Sequence, residues 1–292
     1  MECTMRTRSR LARLAGAAGL LLASTAVAVA TGAGPAQATV VNVSVAGAFP
    51  NQSAVATCPA GEFLAGGGGS VDGGGGDVTL TDIIPNLATQ SVTVWAHTNP
   101  GGVAGAYTLV AQAICVPGAP PANYQRVTSA SGSNVDPIKN QVAACPAGTD
   151  LLGLGAELRT ANGEAFYQRI EPNAALTAGV VTAGAAGGFA GPWELVGYAI
   201  CATLPANLTG TLVSLTGAAN SVSPKGQVSA GCPAGALATG VGATVAATAT
   251  GNVLLTRSMA NVAQNNAQAI AVEDGVYLPP WDLESHVICW GP

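Results

Sequence analysis

The tetrapeptide Cys-Pro-Ala-Gly occurs three times, starting at Cys58, Cys145 and Cys232, and the copies are 87 residues apart both times. A fixed period means that one supersecondary unit is used repeatedly, so the repeat has to be read before any single motif. A second cysteine closes each unit, in Ala113-Ile114-Cys115, Ala199-Ile200-Cys201 and Val287-Ile288-Cys289. Glycines recur after each first cysteine: Gly66 and Gly68, Gly153 and Gly155, Gly240 and Gly242. An Asn recurs at mid-unit (Asn86, Asn173, Asn261), and an aromatic stands eight residues before each closing cysteine (Tyr107, Trp193, Trp281).

Within a unit the pattern is that of strands. Val40–Val45, Val78–Ile84, Val92–Trp95 and Thr108–Cys115 alternate in period two and are rich in β-branched residues. Turn chemistry separates them at Pro50-Asn51, Asp72–Gly76, Pro85-Asn86 and Asn99–Gly102. No segment combines helical period with capping signals, and the Ala/Gly-rich stretch Ala174–Gly188 is too rich in glycine for a helix. The expected fold is all-β: three tandem, antiparallel, β-sandwich-like repeats at 39–118, 119–204 and 205–292, each closed by a disulfide. The alternative is a single pseudo-threefold β-prism. Glycines two apart in a strand face one side, where close approach of a ring or a second sheet would require them.

Residues 1–38 read as a secretory signal peptide. Arg6, Arg8, Arg10 and Arg13 precede the apolar run Leu14–Ala30, and Ala36-Gln37-Ala38 has the small-x-small form of a cleavage site. Cys3 leaves with that segment, and six cysteines remain in an exported, oxidising context. They read as three disulfides. Two pairings treat every unit alike. One closes each unit on itself, as Cys58–Cys115, Cys145–Cys201 and Cys232–Cys289. The other ties each unit to the next. The first is preferred because it needs no ring closure between the chain ends.

Charge excludes more than it suggests. Only 9% of residues are charged and the formal net charge is −5, so an ordinary nucleic-acid face is not expected. After the leader no apolar stretch is long and uninterrupted enough to span a bilayer. The cysteines lack Cys-x-x-Cys pairing, and His97 and His286 occupy unmatched positions in their units, so neither a metal site nor a cofactor is expected. Both histidines read as turn or strand surface. The acidic pairs Glu273-Asp274 and Asp282/Glu284 are too close in sequence to face each other across a scissile bond. Gly66–Asp77, with eight glycines, reads as a flexible hairpin loop rather than a calcium-binding repeat.

With its Cys-Pro-x-Gly starts, Gly-rich strands and closing Ala-Ile-Cys, residues 39–292 resemble a group of uncharacterised secreted actinobacterial proteins, a resemblance that carries no assigned activity. The three units, the Cys-Pro-x-Gly start and the Gly eight positions on are also similar to the vitelline membrane outer layer family. That likeness implies a β-prism and a carbohydrate role, although the units here are longer and the family's acidic strand motifs are missing.

Trp95 and Trp290 have no aromatic counterpart in the other units. Unrepeated positions are where specialisation can sit, and a Trp face stacks on sugar rings, so these two are the ligand-binding candidates. The expected function is a secreted, non-catalytic protein that binds a cell-surface polymer or forms a coat. The alternatives are a carbohydrate-binding module and a hydrolase using dispersed carboxylates.

Overall fold

The computed structural model describes residues 26–28, 38–48, 50–100, 105–246, 252–261, 265–275 and 277–292. Most of the expected leader, and Gly101-Gly102 of one expected turn, lie outside the described residues. The chain is all-β. A short strand, β1 (Ala26–Ala28), falls within the expected leader and pairs with β2. The first repeat supplies β2 (Thr39–Gly47), β3 (Asn51–Thr57), β4 (Glu62–Gly73), β5 (Val78–Asn86), β6 (Ser91–Thr98) and β7 (Tyr107–Pro117). The second supplies β8 (Ala122–Ala130), β9 (Ile138–Ala144), β10 (Asp150–Arg159), β11 (Ala165–Pro172), β12 (Ala178–Ala185) and β13 (Glu194–Thr203). The third supplies β14 (Thr209–Thr216), β15 (Lys225–Val228), β16 (Leu237–Ala246), β17 (Val253–Asn261), β18 (Asn266–Glu273) and β19 (Asp282–Gly291).

Each repeat is a small sandwich of two three-stranded antiparallel layers. In the first, β2-β7-β4 forms one layer and β5-β6-β3 the other. The disulfide joins the layers, because Cys58 follows β3 and Cys115 lies in β7. All three bridges close within their own repeat: Cys58–Cys115, Cys145–Cys201 and Cys232–Cys289, each with Cα atoms 5.6 Å apart.

The sheets do not stop at the repeat boundaries. Each continues into a neighbour: β4 pairs with β17, β5 with β10, and β11 with β16. Three sheets result, each taking three strands from each of two repeats, with β1 added at one edge. The sandwiches thereby close into a ring with pseudo-threefold symmetry. Self-closing disulfides and ring closure, alternatives at the level of sequence, coexist because the ring is closed by strand pairing.

The paired glycines make this possible. A Cβ on Gly153 would stand 2.6 Å from the Gly66 α-carbon, one on Gly240 would stand 2.8 Å from that of Gly153, and one on Gly66 would stand 3.0 Å from that of Gly240. The three backbones meet head to tail around the axis, too close for any side chain. Gly68, Gly155 and Gly242 face the backbones of Ser258, Ile83 and Ile170 in the adjoining repeat. The close approach is thus to a neighbouring repeat's backbone and not to an aromatic ring. The Gly-rich run is also not a loop as far as Gly73. Gly66–Gly69 lie buried inside β4, and only the segment from Gly74 to Asp77 turns. Pro85 and Asn86 likewise end β5 rather than forming a turn.

The recurrent aromatics Tyr107, Trp193 and Trp281 are at most 2% exposed. Beneath two of them lies a buried lysine. Lys139 Nζ donates to the Trp193 carbonyl at 2.6 Å and the Gly132 carbonyl at 3.1 Å, and stands 4.8 Å from the centre of the Trp193 ring. Lys225 Nζ donates to the carbonyls of Trp281 and, at 3.0 Å, Asn220, and stands 4.0 Å from the Trp281 ring. Gln52 occupies the matching place in the first repeat and donates to the Gly47 carbonyl at 3.1 Å. Each ammonium is stabilised by carbonyl dipoles and a π face, with the charges of Asp136 and Glu194 near Lys139 and of Asp282 and Glu273 near Lys225. The mid-unit asparagines act locally: Asn86 Oδ1 accepts from the Ala88 amide at 3.0 Å, and Asn173 Oδ1 from the Thr177 amide at 2.8 Å.

Candidate functional site

Comparison of the three seams between repeats shows where the molecule departs from its own symmetry. Each seam is held by two registered residue pairs, one of which is polar. The polar pairs are Asp82–Glu157, Arg169–Thr244 and Arg257–Ser70. Beside each, a bulge at Thr81, Gln168 or Thr256 shifts the register of the strand. Bulges re-aim side chains, and here they set the residues at the seams.

At two seams the charges are internally matched. Arg257 pairs with Asp72 at 2.6 Å. Arg169 pairs with Glu171, and Glu171 accepts from Thr244 Oγ1 at 3.0 Å. His286 completes that second cluster, with Nε2 3.1 Å from Thr244 Oγ1 and Nδ1 2.7 Å from Ser214 Oγ. His286 is 2% exposed, which corrects the expectation of a surface histidine. Burial pushes its pKa down to about 4, only partly opposed by Glu171. A Ser–His contact is therefore present, but the imidazole is too weak a base to activate the hydroxyl well.

The seam between the first and second repeats is different. Two carboxyl groups lie directly across from each other on β5 and β10, and Trp95 on β6 is opposite Asp82 on its other side. Cross-strand partners share a face, so Trp95, Asp82 and Glu157 form one row. Asp82 has no cation in contact. Its Oδ2 accepts from Thr81 Oγ1 at 2.9 Å. Burial, reinforced by the Glu157 charge and only partly offset by that hydrogen bond, raises its pKa to about 7. Burial pushes Glu157 the same way, but there the Arg159 guanidinium and the Tyr198 hydroxyl outweigh it and hold the group below its ordinary value. Arg159 meets both Glu157 oxygens at 2.9 Å and reaches Glu194 at 3.1 Å. Arg126 covers the Tyr198 ring, 4.8 Å from its centre.

Asp82, Glu157 and Arg159 border a cleft of about 360 Å3. Trp95, 37% exposed, forms one wall and is stacked with His97, the ring centres 6.4 Å apart and the planes 26° from parallel. His97 Nδ1 is 2.9 Å from Thr81 Oγ1, and burial lowers its pKa, so the ring is neutral at physiological pH. Thr160 and Asn162 form part of the opposite rim with φ of 60° and 48°. A β-branched residue in the left-handed region is strained, and such strain concentrates at binding sites. The cleft thus offers a flat apolar face surrounded by carboxyl, guanidinium, amide and hydroxyl groups.

The second sequence candidate, Trp290, lies elsewhere. Its Nε1 donates to the Leu151 carbonyl at 3.1 Å, and its ring lines a separate apolar pocket of about 400 Å3. The two tryptophans do not share a site. The acidic neighbours weighed from sequence are also apart from the cleft. Glu273 accepts from Trp281 Nε1 at 2.9 Å, while Asp282 and Glu284 lie on β19. Asp82 and Glu157 are not apparent from linear spacing. Their signal is that Arg169 and Arg257 hold the place of Asp82, and Ser70 and Thr244 that of Glu157, so one seam has inverted its charge.

Among the described residues no three His, Cys, Asp or Glu side chains are grouped as metal ligands, and no helix is long and apolar enough to cross a membrane. No protein-family model matches the chain, and no curated protein matches it.

Proposed function

We propose that the protein is exported and non-catalytic, and that it holds a cell-surface polymer, a glycan in particular, through the cleft at Trp95. The leader-like first 38 residues and the three disulfides support export. The observation that carries the binding reading is the position of Trp95: a partly exposed indole face in one row with Asp82 and Glu157, at the one seam whose charge is inverted. A sugar presents C–H groups to such a face and hydroxyls to the polar groups around it. The test is a glycan array followed by calorimetric titration of the mature, oxidised protein. Binding by the wild type that is lost in Trp95→Ala supports the reading. No binding of any glycan by the wild type overturns it and leaves a coat role.

Hydrolysis is the second reading, and a specific observation favours it. The cleft contains one carboxyl that retains its proton to about pH 7 and one that does not, the division of labour that glycoside hydrolysis uses. Binding is preferred because both oxygens of Glu157 are already engaged by Arg159 and Tyr198, which leaves them poor nucleophiles or bases. Release of reducing sugar from a bound polysaccharide, abolished by Asp82→Asn, would reverse that preference.

A further inference from the structure

At one end of the pseudo-threefold axis lies the apolar pocket of about 400 Å3. Its floor is made by one residue from each repeat: Ala65, Leu152 and Thr239. Each is the bulged residue immediately before the first axial glycine, and the register shifts at that point in β4, β10 and β16. The bulge turns a side chain toward the axis that a regular strand would direct elsewhere. The walls are not symmetric. Phe63 and Leu237 stand where the second repeat has Asp150. Val116 and Trp290 follow their closing cysteines, where the second repeat has Ala202.

The two polar side chains in the lining have partners within the protein. Thr239 Oγ1 donates to the Leu152 carbonyl at 2.9 Å, and Trp290 Nε1 to the Leu151 carbonyl. No charged side chain lines the pocket. The three Pro-Ala-Gly turns and the segments 117–122, 203–208 and 290–292 contain no Asp, Glu, Lys or Arg, and Glu62 and Asp150 follow two of the turns without lining the pocket. A ligand here meets no charged side chain in the lining, and the Thr239 and Trp290 donors are already used, so a charged group would be stripped of water without a counter-ion in return.

We infer that this axial pocket is a binding site for a small, neutral hydrocarbon ligand, separate from the cleft at Trp95. Its volume of about 400 Å3 falls within the range of small-molecule sites, about 300–1,000 Å3. Three features assign the ligand's chemistry: a concave wall formed by two aromatic rings and aliphatic side chains, the engagement of the Thr239 and Trp290 donors within the protein, and a lining without a charged side chain. Convergence of all three repeats on one pocket also makes the site single, although the fold is threefold.

The test uses the mature, oxidised protein and two fluorescent probes, neutral N-phenyl-1-naphthylamine and anionic 8-anilinonaphthalene-1-sulfonate. The expected result is saturable binding of the neutral probe at one per chain, at least about tenfold tighter than that of the anionic probe. Val116→Glu, which sets a carboxylate in the wall, and Leu208→Trp, which fills the mouth, each weaken the neutral probe by about tenfold or more, while Trp95→Ala leaves it unchanged. Unaltered far-UV circular dichroism and the absence of free thiols establish that a variant is folded, and either folded variant suffices for the decision. Non-saturable binding, equal affinity for the two probes, or unchanged binding in a folded variant overturns the inference. So does a concentration-dependent dimer that the probe dissociates, since the pocket would then belong to a second copy of the chain.

Discussion

The backbone of Gly153 rests on that of Gly66, so that a methyl group on Gly153 would come within 2.6 Å of the Gly66 α-carbon. Neither partner is a side chain that can rotate away, so relief requires the repeats to separate. Gly153→Ala is expected to destabilise the protein by about 1–3 kcal/mol or more, the cost of overpacking a rigid contact. Gly187→Ala is the control. Its Cβ would meet nothing within 4 Å, and the change is expected to stay within about 0.5 kcal/mol. Denaturant unfolding of both variants measures the difference.

The chain has two lysines, Lys139 and Lys225, and they are 4% and 9% exposed. Both ammonium groups are enclosed by carbonyls beneath a Trp ring, and burial lowers the pKa of each. An amine-reactive ester is expected to leave both unmodified in the folded protein and to modify both after reduction and unfolding, as read by peptide mass mapping. Removing one ammonium while leaving its carbonyls unpaired, as in Lys139→Met, is expected to cost about 1–3 kcal/mol.

Two buried groups give stability opposite dependences on pH. The folded pKa of Asp82 is raised from 3.8 to about 7, so its contribution is complete below the unfolded value and is lost as pH rises through about 7. The group faces Glu157 and Arg159 across the seam and Thr81 and His97 on its own side. Asp82→Asn is therefore expected to gain in melting temperature relative to the wild type as pH rises from about 4 to about 7, and to gain no more above it.

His286 behaves in the other sense. Its folded value of about 4 lies below the unfolded 6.5, so its contribution is present above 6.5 and is lost as pH falls through about 4. It faces Ser214, Thr244, Glu171 and Glu284. His286→Gln is expected to flatten the acid limb of the melting curve against pH. An acid limb identical to that of the wild type would remove His286 as its cause.

The three bridges close loops with sequence separations of 57, 56 and 57 residues. Each is worth about 4 kcal/mol in the chain-entropy argument, against a typical net stability of about 5–15 kcal/mol. Full reduction, verified by thiol titration, is expected to lower the thermal midpoint sharply. The charge network around Arg159 is small and its guanidinium is exposed, so added salt is expected to move the midpoint little.

The repeat, the strands and the closing cysteines were legible in the sequence because they depend on local chemistry. Alternation along Val92–Trp95 follows from a pleat with one buried face, and the six cysteines that recur at a fixed period have few uniform ways to pair. The identical glycine offsets even marked a close contact. What that contact was, only the tertiary structure decided, because whether β4 pairs within its own repeat or with β17 leaves the same period-two pattern in both strands. The same holds for Asp82 and Glu157. They are neighbours only because β5 and β10 join across a seam, and the proton held by Asp82 comes from burial and a facing charge that no linear spacing encodes. The bulges at Ala65, Leu152 and Thr239 lie on the same side of that division: a one-residue shift in register is a compromise among strands already in place, and it forms the axial pocket only after the ring has closed.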